Sequence, residues 1–195
     1  MSLHRLLALW QHATTADKEV GANWYARAYL EVCMLADDFG VSLGTAAGVV
    51  ASLSPNNRWD QNLTDARAVL GAVKRGASWE SITVSTYQAN KVKAFTIAED
   101  GAVWPTLRGP KVEAFYHNLC GALSRVTLDS HAVNAWAGQR IAGSGSPSVP
   151  NALLARATTD YYRAAATARV TPAVFQATLW TAHQHRIDAG LVPGY

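Results

Sequence analysis

Apolar residues recur at the helical spacing of three or four positions along almost the whole of this 195-residue chain. Segments that alternate apolar and polar residues, as a half-buried strand does, are few. The pattern predicts about nine helices and an all-α fold. The most apolar segment, Leu43–Leu53, follows Ser42, a preferred helix-capping residue, and ends before Pro55. Because a helix that is apolar on every side is normally surrounded by other elements, we expect this one at the centre of a core.

Helix-start and helix-stop residues divide the pattern into separate elements. Gly40 and Gly76 are typical helix-end residues, and Pro110 suits the first position of a helix. Helices are predicted from Trp59 to Arg75, Ser85 to Glu99, Pro110 to Leu119, Asp129 or Ser130 through Trp136, Asn151 to Ala168, and Pro172 to Asp188. Residues 143–150 are rich in glycine, serine and proline and predict a surface loop, so we expect residues 1–195 to form one domain.

Composition narrows the class of protein. Hydrophobic residues make up 49% of the chain and charged residues 16%, which is typical of a globular protein. A net charge of +3 permits a polyanionic partner without requiring one. Two cysteines, Cys33 and Cys120, are too few for a cysteine-ligated iron–sulfur cluster or a four-cysteine zinc site. No apolar run reaches about 18 residues and no signal-peptide pattern is evident, so we expect a cytoplasmic protein without a membrane span.

The segment from Thr106 to Gly138 concentrates residues that can carry chemistry. A tight turn ending in Gly109 leads into a helix at Pro110, where unpaired backbone N–H groups form a natural site for a phosphate. Lys111 lies in the first turn of that helix. Further on, Asp129 begins another helix, with His131 just inside it. A lysine and a carboxylate are therefore each expected at the start of a helix.

These residues resemble the two motifs of the helix-hairpin-helix DNA glycosylases, the superfamily of endonuclease III and 8-oxoguanine glycosylase. Gly109-Pro110-Lys111 resembles the step from the hairpin into a helix, and Leu128-Asp129-Ser130-His131 resembles the step that begins the next helix. The resemblance covers roughly residues 40–140. It implies a two-lobed helical bundle, with the hairpin and catalytic segment at about residues 103–140. The cysteines that bind the cluster in endonuclease III are absent from this sequence, so no iron–sulfur cluster is implied. One departure is Leu107, which stands where the family usually has an earlier hairpin glycine.

The resemblance implies a role for each matching residue. Asp129 corresponds to the essential carboxylate and Lys111 to the Schiff-base lysine of bifunctional members. Lys111 is otherwise a phosphate clamp, and His131 is expected to support the site without reacting. DNA contacts are expected from Arg108 and Gly109 at the hairpin, and from Asn56, Asn57 and Arg58 at the break between two helices, where they would form a wedge or a strand contact.

The chemistry explains these residue types. An enzyme that acts on a base must take it out of the duplex stack, at a cost of a few kcal/mol. Breaking the N-glycosidic bond develops positive charge on the sugar, which an ionised carboxylate stabilises directly or by activating water. A lysine amine can instead attack the sugar C1′ and form a Schiff base. The expected partner is double-stranded DNA that contains a modified base, bound by a monomer in a bacterial or phage-infected cell, close to the nucleoid.

Two other functions remain open. Phage enzymes that hypermodify thymine resemble these glycosylases in fold. The chain could therefore be a base-modifying transferase that leaves the glycosidic bond intact. It could also be a DNA-binding module without activity, in which Asp129 is only a helix cap.

No metal or cofactor is expected. His183 and His185 are two positions apart and therefore lie on different faces of a helix, which we expect to be solvated. Trp59, Trp136 and Trp180 are assigned to the core.

Overall fold

The structure is a computed structural model and describes residues 2–143 and 148–188. Within these ranges the regular elements are ten α-helices and one short 3-10 helix, with no strand, so the all-α prediction is confirmed. Part of the predicted loop, residues 144–147, lies outside the described residues. The helices are α1 (Ser2–His12), α2 (Thr15–Phe39), α3 (Leu43–Leu53), α4 (Trp59–Lys74), α5 (Gln88–Asp100), α6 (Val103–Thr106), α7 (Pro110–Leu119), α8 (Ser130–Ala137), α9 (Asn151–Ala168) and α10 (Pro172–Asp188), and the 3-10 helix is Trp79–Ser81.

The chain divides into two compact units. The inner unit is continuous and runs from Ala28 to Gly121, whereas the terminal unit combines Met1–Arg27 with Ala122–Tyr195. One boundary between them therefore falls inside α2, and the other falls between Gly121 and Ala122. Because the second boundary lies between the predicted lysine and the predicted carboxylate, Lys111 belongs to the inner unit and Asp129 to the terminal unit.

Helix α3 is the centre of the inner unit. Ser42 caps it, because the Ser42 hydroxyl accepts a hydrogen bond from the Thr45 N–H at 3.0 Å. From Thr45 onward all of its residues are buried, and the helix packs against α4, α5, α6 and α7. A methyl group at Gly48 would meet Ile97 and Val103 at 3.0–3.1 Å, which shows how closely the neighbours approach. The predicted central apolar helix is confirmed.

The terminal unit is built around α9 and α10. Helix α1 packs on α8, α9 and α10, and its Trp10 stacks on Phe175 with ring centroids 5.1 Å apart. Tyr161 of α9 meets the same phenylalanine edge-on and is 1% exposed. Gly21, in the first half of α2, lies directly against the backbone of Thr178 in α10. Contacts between aromatic side chains, and the close approach of α2 to α10, therefore hold this unit together.

Local signals placed most helix boundaries where the structure has them. The predicted limits of α3, α7, α9 and α10 are confirmed. The predicted start of α5 is wrong, because the helix begins at Gln88 and not after Ser85. Ser85 instead donates its backbone N–H to the Asp65 carboxylate at 2.8 Å, and the Thr86 hydroxyl donates to the Pro55 carbonyl at 2.6 Å. These two contacts bind the segment to helix α4 and to the loop that precedes it, and keep the segment out of α5.

Among the described residues, no single helix is both long and apolar enough to cross a membrane. Helices α2 and α3 meet the length and composition requirements only as a pair, bent by 114° at their junction.

Candidate functional site

Asp129 caps helix α8. Its backbone is extended, and its Oδ1 accepts a hydrogen bond from the Ala132 N–H at 2.7 Å. The side chain is half-buried, as are the neighbouring Leu128 and Ser130. The prediction of a carboxylate at the start of a helix is therefore confirmed. One carboxylate oxygen accepts from an otherwise unpaired N–H at the helix start, and this hydrogen bond fixes the orientation of the carboxylate.

Two imidazoles lie close to this carboxylate in the terminal unit. The rings of His131 and His183 are separated by 6.5 Å between centroids. His183 is 7% exposed, so the expectation that it lies on a solvated helix is wrong. The reason is its position on α10, one and two turns after Leu179 and Phe175, which are both buried and lie on the same face. This spacing of four residues was a signal that the sequence already contained.

Charge and burial act on the groups around Asp129. Burial lowers the pKa of His183, the charges of His131 and Arg186 lower it further, and the charge of Asp129 opposes them. Burial raises the pKa of Tyr161, and the negative charge of Asp129 raises it further. The Tyr161 hydroxyl donates to the Ala132 carbonyl at 3.0 Å, so Tyr161 and Asp129 bind the same residue of α8. Asp129 is thus electrostatically coupled to a neutral phenol and to a buried imidazole.

An exposed aromatic ring completes this cluster. Trp180 is 37% exposed, so its assignment to the core is wrong, and its indole lies 6.5 Å from the His131 ring in an edge-to-face arrangement. Trp136 is 4% exposed, as expected of a core residue. The third tryptophan, Trp59, is half-buried and donates its indole N–H to Glu31 at 2.7 Å.

Three buried polar side chains contact one another at the segment that precedes Asp129. The buried Tyr25 hydroxyl is 3.1 Å from the Thr127 hydroxyl and 3.5 Å from Oε1 of Gln176. These contacts hold the segment before Asp129 against α2 and α10 within the terminal unit.

The predicted hairpin lies between α6 and α7 of the inner unit. Gly109 has a φ of 115°, a conformation that favours glycine, and Pro110 begins α7 as expected. However, the Gly109 N–H already donates to Oε1 of Glu113 at 2.9 Å. A phosphate at this amide would compete with that carboxylate. Exposed Arg108 donates its Nε–H to the Pro105 carbonyl at 2.9 Å, and Lys111 is half-buried in the first turn of α7.

The three residues predicted as a wedge lie in the loop between α3 and α4. Asn57 donates its amide to Leu53 and, at 2.9 Å, to the buried carboxylate of Asp65, so it holds the loop in place. Asn56 is exposed, adopts a left-handed φ of 55°, and donates to the Tyr87 hydroxyl. Arg58 is exposed and precedes α4 without capping it. Tyr87 is 60% exposed.

Across residues 2–143 and 148–188, no group of three or more histidine, cysteine, aspartate or glutamate side chains is placed to bind a metal ion.

Comparison with known proteins places the chain in a family. No curated protein and no solved structure matches it. One family model, described as a family of unknown function, matches residues 2–187. Since this match spans nearly the whole sequence, the chain belongs to the family of unknown function DUF7178.

Proposed function

We propose that this protein is a DNA glycosylase that flips a modified or damaged base out of the duplex and excises it, with Asp129 as the essential carboxylate. The observation that carries the proposal is the position of Asp129. Its carboxylate is fixed at the start of α8 and lies in the same unit as two imidazoles and an exposed indole.

The chemistry follows from this arrangement. As the bond between C1′ and the base nitrogen breaks, its electron pair leaves with the base and positive charge develops on the sugar. The Asp129 carboxylate stabilises that charge and accepts the proton of the water that attacks C1′. The capping bond from Ala132 restricts the rotation of the carboxylate, so little reorganisation is needed during the reaction. The exposed ring of Trp180 offers a surface on which a flipped base can stack.

The inner unit supplies the proposed DNA contacts. Arg108 and Gly109 would contact phosphate, while Asn56 and Arg58, which are exposed, would contact the duplex beside the flipped base. Asn57 supports this loop through Asp65. Lys111 is proposed as the lyase nucleophile or as a phosphate clamp. The proposed partner is double-stranded DNA with a modified base, bound by a monomeric cytoplasmic protein.

The test measures base release. Purified protein is incubated with oxidised, alkylated and deaminated duplexes and with hypermodified phage DNA, and free bases are identified by mass spectrometry. We expect a released base with the wild type and with Asp38→Asn, an exposed carboxylate used as the control, and none with Asp129→Asn. Because asparagine caps helices about as well as aspartate, Asp129→Asn removes the charge with little change in stability.

Two outcomes would replace this proposal. A mass change on a base that remains attached to its sugar would indicate a transferase that hypermodifies thymine. DNA binding without any reaction across the panel, unchanged by Asp129→Asn, would indicate a binding module.

A further inference from the structure

The rings of His131, His183 and Trp180 form a cluster in the terminal unit, and the proposed function gives a role to the indole but to neither imidazole. His131 lies 6.5 Å from each of the other two rings, and both pairs are steeply inclined, by 61° and 83°. His131 comes from the first turn of α8, two residues after Asp129, while His183 and Trp180 are one turn apart on α10. Two helices therefore bring two imidazoles and an indole together in the unit that contains Asp129.

The spacing of the two imidazoles fits a polar atom between them. A centroid separation of 6.5 Å is too long for a direct hydrogen bond from one ring to the other. It leaves room for one atom that accepts a hydrogen bond of about 2.9 Å from a nitrogen of each ring, with the two bonds meeting at an angle and not in a line. The pair is therefore suited to hold one oxygen or nitrogen of a small planar ligand.

The protonation state of His183 suits it as a donor. Burial lowers its pKa, and the charges of His131 and Arg186 act in the same direction. Asp129 opposes this shift but does not reverse it. A neutral imidazole carries an N–H on one nitrogen and can donate a hydrogen bond near pH 7 without adding a positive charge that would cancel Asp129.

We propose that His183 is a catalytic residue that donates a hydrogen bond to the departing base, with His131 on the opposite side of the same base atom and Trp180 as the stacking surface. The inference rests on the proposed glycosylase function. When the glycosidic bond breaks, the base takes the bonding electron pair and its negative charge is shared with a ring nitrogen or an exocyclic oxygen. The His183 N–H stabilises that charge without transferring its proton, and the base takes its proton from water.

Different residues stabilise the two charges that develop as the glycosidic bond breaks. Asp129 would act on the sugar, which becomes positive, and His183 would act on the base, which becomes negative. The substrate class follows from this: a base with an acceptor atom that gains charge as it leaves, and whose departure is therefore sensitive to the acidity of its ring nitrogen.

The experiment measures how the rate depends on the leaving group. Single-turnover rates are determined on two duplexes: one carries the base identified by the release assay, and the other carries its halogenated analogue, whose ring nitrogen is more acidic. We expect His183→Leu to reduce the rate at least tenfold on the natural base and clearly less on the analogue, because the better leaving group needs less stabilisation. His183→Gln retains an N–H donor and should recover much of the rate.

The control is His12→Gln, an exposed histidine of the same unit, which should behave as the wild type. Equal loss on both bases, or no loss, with His183→Leu would overturn the role of His183 while base release by the wild type leaves the glycosylase proposal intact. If the wild type releases no base, the proposed function fails, and this inference fails with it. A loss of fold in His183→Leu is detected by circular dichroism, in which case the His183→Gln rates on the two bases decide between the outcomes.

Discussion

Carboxylates at helix starts have two different uses in this protein. Asp17 forms a reciprocal cap with Thr14: the Thr14 N–H and hydroxyl each contact Oδ2 of Asp17 at 2.8 Å, and the Asp17 N–H donates to the Thr14 hydroxyl at 3.1 Å. Its Oδ1 lies 2.6 Å from Nδ1 of His185. Asp17 is buried, and both of its carboxylate oxygens are in contact with other residues of the fold. Asp129 is itself the cap of α8, uses one oxygen for that bond and lies among groups that can react, so a carboxylate at a helix start serves structure in one place and proposed chemistry in the other.

Asp17 makes stability depend on pH. Burial would raise the pKa of its carboxyl, but the hydrogen bonds from Thr14 and the contact with His185 outweigh burial, so the pKa lies below its ordinary value of 3.8. The carboxylate therefore stabilises the fold fully above pH 3.8, and the stabilisation is lost as the pH falls through the lower folded value. We expect Asp17→Ala to reduce the free energy of unfolding by about 1–2 kcal/mol at pH 7.

Urea unfolding at pH 7, 4 and 2.5 checks this prediction. The difference between the wild type and Asp17→Ala should shrink at the lowest pH, while exposed Asp38→Ala should differ little from the wild type throughout. A difference that stays constant down to pH 2.5 would contradict the assigned role of the Asp17 charge.

Reduction with borohydride distinguishes the two proposed roles of Lys111. A lysine that attacks C1′ forms an imine, and reduction traps it as a covalent adduct between protein and DNA. On a DNA that the wild type cleaves, we expect an adduct that Lys111→Gln lacks and that Lys93→Gln, an exposed lysine of α5, retains. Cleavage by the wild type without any adduct would make Lys111 a phosphate clamp and the enzyme monofunctional.

At the scale of the helices, caps and periodicity act locally and close approaches act between elements. Gly21 shows the second effect within the terminal unit. A methyl group there would lie 2.4 Å from Cα and 2.6 Å from the backbone nitrogen of Thr178, so the helices α2 and α10 meet at a position that only glycine allows. The helical pattern of the sequence does not reveal this contact, because the glycine is an interior residue of α2 like any other.

We expect Gly21→Ala to destabilise the fold by about 1–3 kcal/mol or more, since backbone atoms cannot move aside as a side chain can. The matched control is Gly71→Ala in α4, where the new methyl group would meet the guanidinium end of Arg75 at 3.2 Å and a ring atom of Phe39 at 3.5 Å. That change should be close to neutral or slightly stabilising, because alanine favours helix by about 1 kcal/mol over glycine. Thermal unfolding measures the stability of both variants. An equal change in stability for Gly21→Ala and Gly71→Ala would contradict the close contact assigned to Gly21.

At the scale of the whole molecule, the residues proposed to act on DNA are shared between the two units. Asp129 and the ring cluster belong to the terminal unit, which is built from both ends of the chain. Arg108, Lys111 and the loop after α3 belong to the continuous inner unit. The excess of basic over acidic residues is small, 17 against 14, so affinity for undamaged DNA should be modest and carried by a few contacts.

Binding to DNA should weaken as salt rises. Each phosphate contact releases counterions, so the logarithm of the binding constant should fall linearly with the logarithm of the salt concentration. Arg108→Ala should weaken binding and reduce the slope by about one, whereas Arg67→Ala, an exposed arginine of α4, should leave the slope unchanged. Fluorescence anisotropy from low to high salt measures both. Binding that does not respond to salt, or no binding at all, would contradict a DNA partner.

Much of this protein was determined by its sequence alone, because the responsible interactions are local. The helical period, the caps at Ser42 and Asp129 and the proline that begins α7 each act within a few residues, and all of them appear where they were predicted. The role of Asp129 in catalysis, in contrast, stays a prediction from resemblance.

Only the tertiary structure decided what surrounds these elements. Trp180 is exposed because of how α10 packs, although its large apolar ring favours the core, whereas the burial of His183 follows from its spacing with Phe175 and Leu179. Asn57 is bound to Asp65, and Ser85 is held outside α5 by the same carboxylate, through contacts that join residues distant in the chain. Helical period and capping depend on neighbours in sequence, whereas burial and side-chain pairing depend on neighbours in space.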